Sequence, residues 1–236
     1  MPVAIVNAPV RTIASTLVVR IREDLIRGVL EPGSKLLLRE LSEHYNVGVN
    51  PLREALARLA AAGLVIVEDG RGFRVSDVSR DDLEDLSRAK REVFTAAIRT
   101  SIQNGDVKWE ARVVAAHHQL KATMATLNTR KFDEAAYEDA HRAFHVALVD
   151  GCGSSWLLHF VNVLYDQTRR YRYLAMLKPE NHAAARIEHQ QLMEAAVARN
   201  VRRATQLVLE HIVVPSDVTP GSGKVAKIGR RKKSLS

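Results

Sequence analysis

Cysteine is nearly absent from this 236-residue chain: Cys152 is the only one. No disulfide can form within the chain, and the flanking Gly151 and Gly153 mark a turn rather than a metal knuckle. Long apolar runs are missing too. No stretch approaches the roughly 18 apolar residues of a membrane helix, and residues Met1 to Val10 lack the basic start and apolar core of a secretory leader. The expectation is a soluble protein of the cytoplasm. No nucleophile motif occurs and no carboxylate holds a defensible general-base position, which argues against an enzyme.

What is present is the composition of an ordinary globular protein, 46% hydrophobic and 26% charged, rich in the good helix formers Ala and Leu. The length favours two modest domains over one. The formal net charge is +8, but six basic residues (Lys224, Lys227, Arg230, Arg231, Lys232, Lys233) fall near the C-terminus with no acid among them. Without them the net charge is 8 − 6 = +2. The globular part is therefore only mildly basic, and charge alone does not establish a nucleic-acid partner.

The fold expected is mainly α. Ile13, Leu17, Ile21, Leu25 and Ile26 recur at helical spacing before Gly28. A turn at Pro32-Gly33 and a short extended piece over 35–37 lead into a second helix over 38–45, broken by Asn46-Val47-Gly48. The next helix carries Pro51 in its first turn and ends near Gly63. Two short helices so spaced make a helix-turn-helix. Residues 64–68 and 72–75 read as strands joined across Asp69-Gly70-Arg71, a β-hairpin wing. From Ser79, which forms a capping-box pattern with Asp82, the pattern is helical throughout, with helices expected over 80–103, 108–127, 131–149, 155–176, 183–199 and 201–213. The domains expected are a winged helix-turn-helix over 11–78, an all-helical domain over 79–214 and a disordered basic tail over 215–236.

A helix-turn-helix lays its second helix in the major groove. The residues placed to meet DNA are Arg39 at the start of the first helix of the pair, Val49, Asn50 and Arg53 at the start of the second, Arg71 at the wing tip and Arg74 at its base. Asn50 can pair with adenine or cap the helix ahead of Pro51, and Arg53 can meet guanine or phosphate. The run Leu30-Glu31-Pro32-Gly33-Ser34-Lys35-Leu36, with Arg39-Glu40-Leu41-Ser42, Pro51-Leu52-Arg53-Glu54-Ala55-Leu56, Gly63-Leu64-Val65 and Arg71-Gly72-Phe73-Arg74-Val75, resembles the GntR family of winged-helix regulators. The helical remainder resembles the FadR-type effector domain, the FCD domain. The resemblance implies a homodimeric regulator, more often a repressor, that binds double-stranded operator DNA and responds to a small effector. Where that family usually has Ser-Arg-Thr-Pro, this chain has Gly48-Val49-Asn50-Pro51. Val49 offers only an apolar contact, so a different half-site is expected.

Of the nine histidines, His141 and His145 lie four apart on one helix face, and His189 and His211 lie on two later helices. A helical bundle can turn all four to one point. The family resemblance implies that they form a metal site, with His141 standing where an Asp is usual. An imidazole in place of a carboxylate favours zinc, with nickel as the next choice, over manganese. The other histidines, His117 among them, receive no role. The effector implied by the resemblance is a small carboxylate, and the residues expected to meet it are Lys90, where the family commonly has Arg, with Tyr165 and Arg169. Two alternatives stay open at this point: a metal-dependent enzyme built on the bundle, and a DNA-binding protein whose metal is purely structural.

Overall fold

The computed structural model describes residues 12–127, 129–176 and 180–212, and these divide after Val78 into two units. The tail expected over 215–236 lies outside the described residues. Among these, nine α-helices, one 3-10 turn and a three-stranded sheet are formed.

The first unit runs α1 (Ile13–Ile26), β1 (Lys35–Leu36), α2 (Leu38–Tyr45), α3 (Val49–Ala61), β2 (Val65–Glu68) and β3 (Gly72–Val75). Leu17, Ile21 and Leu25 of α1 bury against Leu52, Leu56 and Leu59 of α3, which is why those residues recur at a 3.6-residue period. Tyr45 closes the end of α2 by donating its hydroxyl to Asp24 at 2.5 Å. Burial and that carboxylate push its pKa upward. The turn between α2 and α3 is made by Asn46 in the left-handed region, φ 53°, a conformation Asn tolerates better than most residues.

The wing is more than the expected hairpin. β1 pairs antiparallel with the outer side of β3, giving the order β1-β3-β2, with Lys35 opposite Arg74 and Leu36 opposite Phe73. The backbone continues the tie, Gly33 N donating to Val75 O and Val75 N to Ser34 O. Gly33 is in the left-handed region (φ +73°), and a Cβ there would sit 2.6 Å from Asp77 Oδ1. The backbone conformation favours glycine, whereas the exposed Asp77 carboxylate can turn aside.

The second unit is α4 (Arg80–Asn104), α5 (Val107–Met124), α6 (Glu134–Val149), the 3-10 turn Asp150–Cys152, α7 (Ser155–Met176), α8 (Glu180–Val197) and α9 (Val201–His211). Ser79, Asp106, Asp133 and Asn200 cap the N-termini of α4, α5, α6 and α9, each side chain accepting from a backbone N–H three residues on. The Asp133 cap starts α6 three residues later than the expected 131. The expected end of α5 at 127 is instead a series of 3-10 bonds after Met124. At the centre of the core Trp109 is fully buried and donates its indole N–H to Ala147 O at 2.8 Å. Arg91 of α4 donates twice to Ile212 O, at 2.9 and 2.6 Å, and so holds the C-terminal end of α9 beside His211.

Candidate metal centre and DNA-reading surface

The helical packing brings His141 and His145 from α6, His189 from α8 and His211 from α9 to one point. One nitrogen from each lies within 4.8 Å of all the others. The first three are buried and His211 is partly so. An ion held at roughly 2.0–2.1 Å from imidazole nitrogens separates its ligand atoms by roughly 3–4 Å. His141 Nε2 and His145 Nε2, 3.2 Å apart, already have that spacing.

Two further side chains fix which nitrogens face inward. His211 Nδ1 donates to Glu188 Oε2 at 2.7 Å, leaving Nε2 with its lone pair for a ligand bond. His141 Nδ1 meets the Tyr165 hydroxyl at 2.8 Å; with the proton on Nδ1, its Nε2 also presents a lone pair. Carboxylate or hydroxyl support of this kind orients a metal-ligating imidazole and raises its basicity. The four histidines thus fit a divalent transition metal. All four donors are neutral, so a dication there keeps both of its charges and draws an anion. The acids close by are engaged: Glu138 pairs with Arg169 at 3.1 Å, and Glu188 with His211.

The residues expected to meet an effector separate. Tyr165 and Lys90 come together, the ammonium lying 5.7 Å from the ring centre and donating to Thr168 Oγ1 at 3.2 Å. Arg142 approaches the same ring at 5.3 Å. Arg169 is turned to Glu138, in a mostly buried ion pair. Sequence reasoning missed Glu188, whose single signal is its place immediately before His189, and it took Tyr165 for an effector contact alone.

On the first unit, Arg39, Val49, Asn50, Arg53 and Arg71 are all exposed. The N-cap of α3 is Gly48, so Asn50 is the second helical residue and leaves the capping role to the backbone. Arg39 is paired with Glu43 at 3.5 Å, but both side chains are largely exposed and the pair is weak. Arg74 differs from the rest: it is half-buried and engages Glu68 at 3.1 Å and Asp77 at 3.8 Å, so its charge helps hold the wing together.

The family model described as bacterial regulatory proteins, gntR family, matches residues 13–75, and that of the FCD domain matches residues 85–213. The chain belongs to the GntR family. Its FCD domain is consistent with the FadR-type branch. The HTH-type transcriptional regulator BphR of Paraburkholderia xenovorans is 37% identical over 216 residues, covering 89% of this GntR protein and 86% of BphR. The HTH-type transcriptional repressor GlaR of Escherichia coli is 36% identical over 200 residues, covering 83% and 90%. Among solved structures, E. coli McbR/YncC superposes with a TM-score of 0.68 at 19% identity over 85% of this chain and 93% of that one, a likeness of fold. This GntR regulator is thus a DNA-binding transcriptional regulator with a winged head and an FCD domain, whose histidine cluster could hold a metal. No helix among the described residues is long and apolar enough to cross a membrane.

Proposed function

We propose that this chain is a repressor that binds a pseudo-palindromic operator as a homodimer and carries, in its FCD domain, a zinc-type metal centre that takes part in sensing a small carboxylate. The observation that carries the reading is the set of four imidazole nitrogens within 4.8 Å, in a chain that also has a DNA-reading head. His141, His145, His189 and His211 would hold the ion, with Tyr165 and Glu188 orienting two of them. A bound ion supplies Lewis acidity and positive charge for a carboxylate. The chain's own part is to fix the imidazoles, bury them and set Lys90 against the Tyr165 ring beside them. An all-imidazole donor set supports zinc or nickel over manganese. On the head, Val49, Asn50 and Arg53 read the major groove, Arg39 meets phosphate and Arg71 enters the minor groove.

The test is the metal content of the untagged protein and of His145→Ala, together with operator binding with and without small carboxylates. About one transition metal per chain, lost in the variant, and an operator affinity that shifts with a carboxylate are the expected results. A metal-free wild type sinks the metal centre. A metal-bearing protein whose operator affinity no carboxylate changes makes the ion purely structural.

A further inference from the structure

The first turns of α7 are apolar on both faces. Leu157, Leu158 and Val161 pack inward against the core, while Trp156, Phe160 and Val163 remain 70%, 47% and 38% exposed. Trp156 stacks on Phe160 with ring centres 6.1 Å apart, and the exposed imidazole of His159 lies 6.0 Å from the first and 5.5 Å from the second. The three rings form one continuous surface. A helix at the edge of a domain carries polar residues on its outer side, whereas one that is apolar all round is a buried helix. Among the described residues, the other large exposed apolar side chains of this unit, Val107, Val114, Ile187 and Leu209, lie on α5, α8 and α9 with no aromatic ring among them. Apolar side chains scattered in that way are ordinary.

Charge is missing from the same face. From Gly151 to Tyr165 no residue is acidic or basic, in a chain that is 26% charged. The acids that flank this stretch are matched within the domain, Asp150 by Arg112 and Asp166 by Arg142. A neutral patch has nothing to hold an anion or a nucleic acid, and no acid to receive the basic residues over 224–233. It does suit its own copy. Two-fold pairing lays a patch on itself, which a face bearing charge of one sign resists and a neutral aromatic face does not. The area is of the right order too: Trp156 and Phe160 leave roughly 250–300 Å² in water per copy. Two copies then bury roughly 500–600 Å² from these rings, about a third of the roughly 1,600 Å² of a standard interface. The dry centre of an interface is built from such residues, and a polar rim supplies the remainder.

We propose that the face of α7 formed by Trp156, His159, Phe160 and Val163 is the centre of a two-fold interface with a second copy of this chain. The inference deepens the homodimer of the proposed function, and rests on it, by naming the surface and placing it in the FCD domain. Trp156 is the anchor, the residue type most enriched among those that carry binding energy.

The test is sedimentation velocity of the untagged full-length protein over a concentration series, repeated on Trp156→Glu and on Val107→Glu, which puts the same charge on a similarly exposed site of α5. The expected result is a dimer for the wild type and for Val107→Glu. Trp156→Glu, with an unchanged melting temperature, dissociates with a constant at least about a hundredfold higher, because a two-fold interface loses the ring twice. A second measurement needs no variant, and decides the matter should Trp156→Glu fail to fold. Of the two tryptophans Trp109 is fully buried, so acrylamide quenches chiefly Trp156, and its quenching should fall as rising concentration drives the dimer. A wild type that dimerises while Trp156→Glu dimerises equally well, or while quenching stays constant, overturns this surface and leaves the homodimer standing. A wild type that is monomeric throughout overturns both. Loss of the dimer in Val107→Glu alone overturns it as well, and moves the interface to α5.

Discussion

Replacing Tyr165 by Phe removes one oxygen and leaves the ring between Lys90 and Arg142. The lost group is the buried hydroxyl 2.8 Å from His141 Nδ1, which, by accepting a proton carried on Nδ1, would leave Nε2 with its lone pair for a metal. Removing such outer support lowers metal affinity about 10–100-fold, or about 1.4–2.8 kcal/mol at 1.4 kcal/mol per tenfold. Glu188→Gln removes the charged acceptor of His211 Nδ1, and hydrogen bonds to charged groups are the stronger class. The expected order of zinc affinity is therefore wild type, then Tyr165→Phe, then Glu188→Gln, with His145→Ala last. Competition of each apo protein against a chromophoric chelator measures this, after circular dichroism has shown that each variant is folded. Zinc affinity of Tyr165→Phe within twofold of wild type, with binding lost in His145→Ala, would refute the orienting role of the hydroxyl while leaving the four ligands in place.

Gly105→Ala is expected to destabilise the FCD domain by about 1–3 kcal/mol through overpacking, because the new Cβ would lie 2.4 Å from Trp109 Cε3 and 2.7 Å from Ser101 O. An unchanged urea midpoint would show that the ring does not lie there. The Asp106 carboxylate, which accepts from Trp109 N at 2.8 Å, is held below its usual range chiefly by that bond. A folded pKa below the unfolded one means that its contribution is present above about pH 4 and lost as pH falls through the folded value. Asp106→Asn should then melt with a shallower pH dependence between pH 5 and 3, and identical slopes would exclude the capping carboxylate as a source. On the reading head, Arg53→Ala should weaken operator binding by about 1–3 kcal/mol, as read by fluorescence anisotropy. Arg74→Ala, which breaks ion pairs inside the wing, should affect it less; the reverse order would exchange their roles.

The helices were legible because apolar residues recur at a 3.6-residue period and because α1, α3 and α4 stop near Gly28, Gly63 and Gly105, and the four histidines were legible because family and spacing agreed. What escaped depends on pairs far apart in the chain. β1 is two residues long and has no periodicity of its own, so its pairing with β3 is invisible locally. The Glu138–Arg169 pair spans 31 positions and turns an arginine assigned to an effector into a partner for a buried acid. Asn50 was open between cap and base contact, and only the backbone shows that the cap is Gly48.

The short strand β1 has a mechanical consequence for how DNA is read. It ends two residues before α2 begins, and it holds the very strand that carries the wing. The wing is therefore bonded to the start of one helix of the reading pair and joined through β2 to the end of the other, so it cannot swing independently of them. Arg71, at the tip of that hairpin, is thereby tied through β3 to the helices that carry Asn50 and Arg53. If those residues read adjacent grooves, one base pair inserted between their contact sites turns the second by about 34°, and operator affinity should fall.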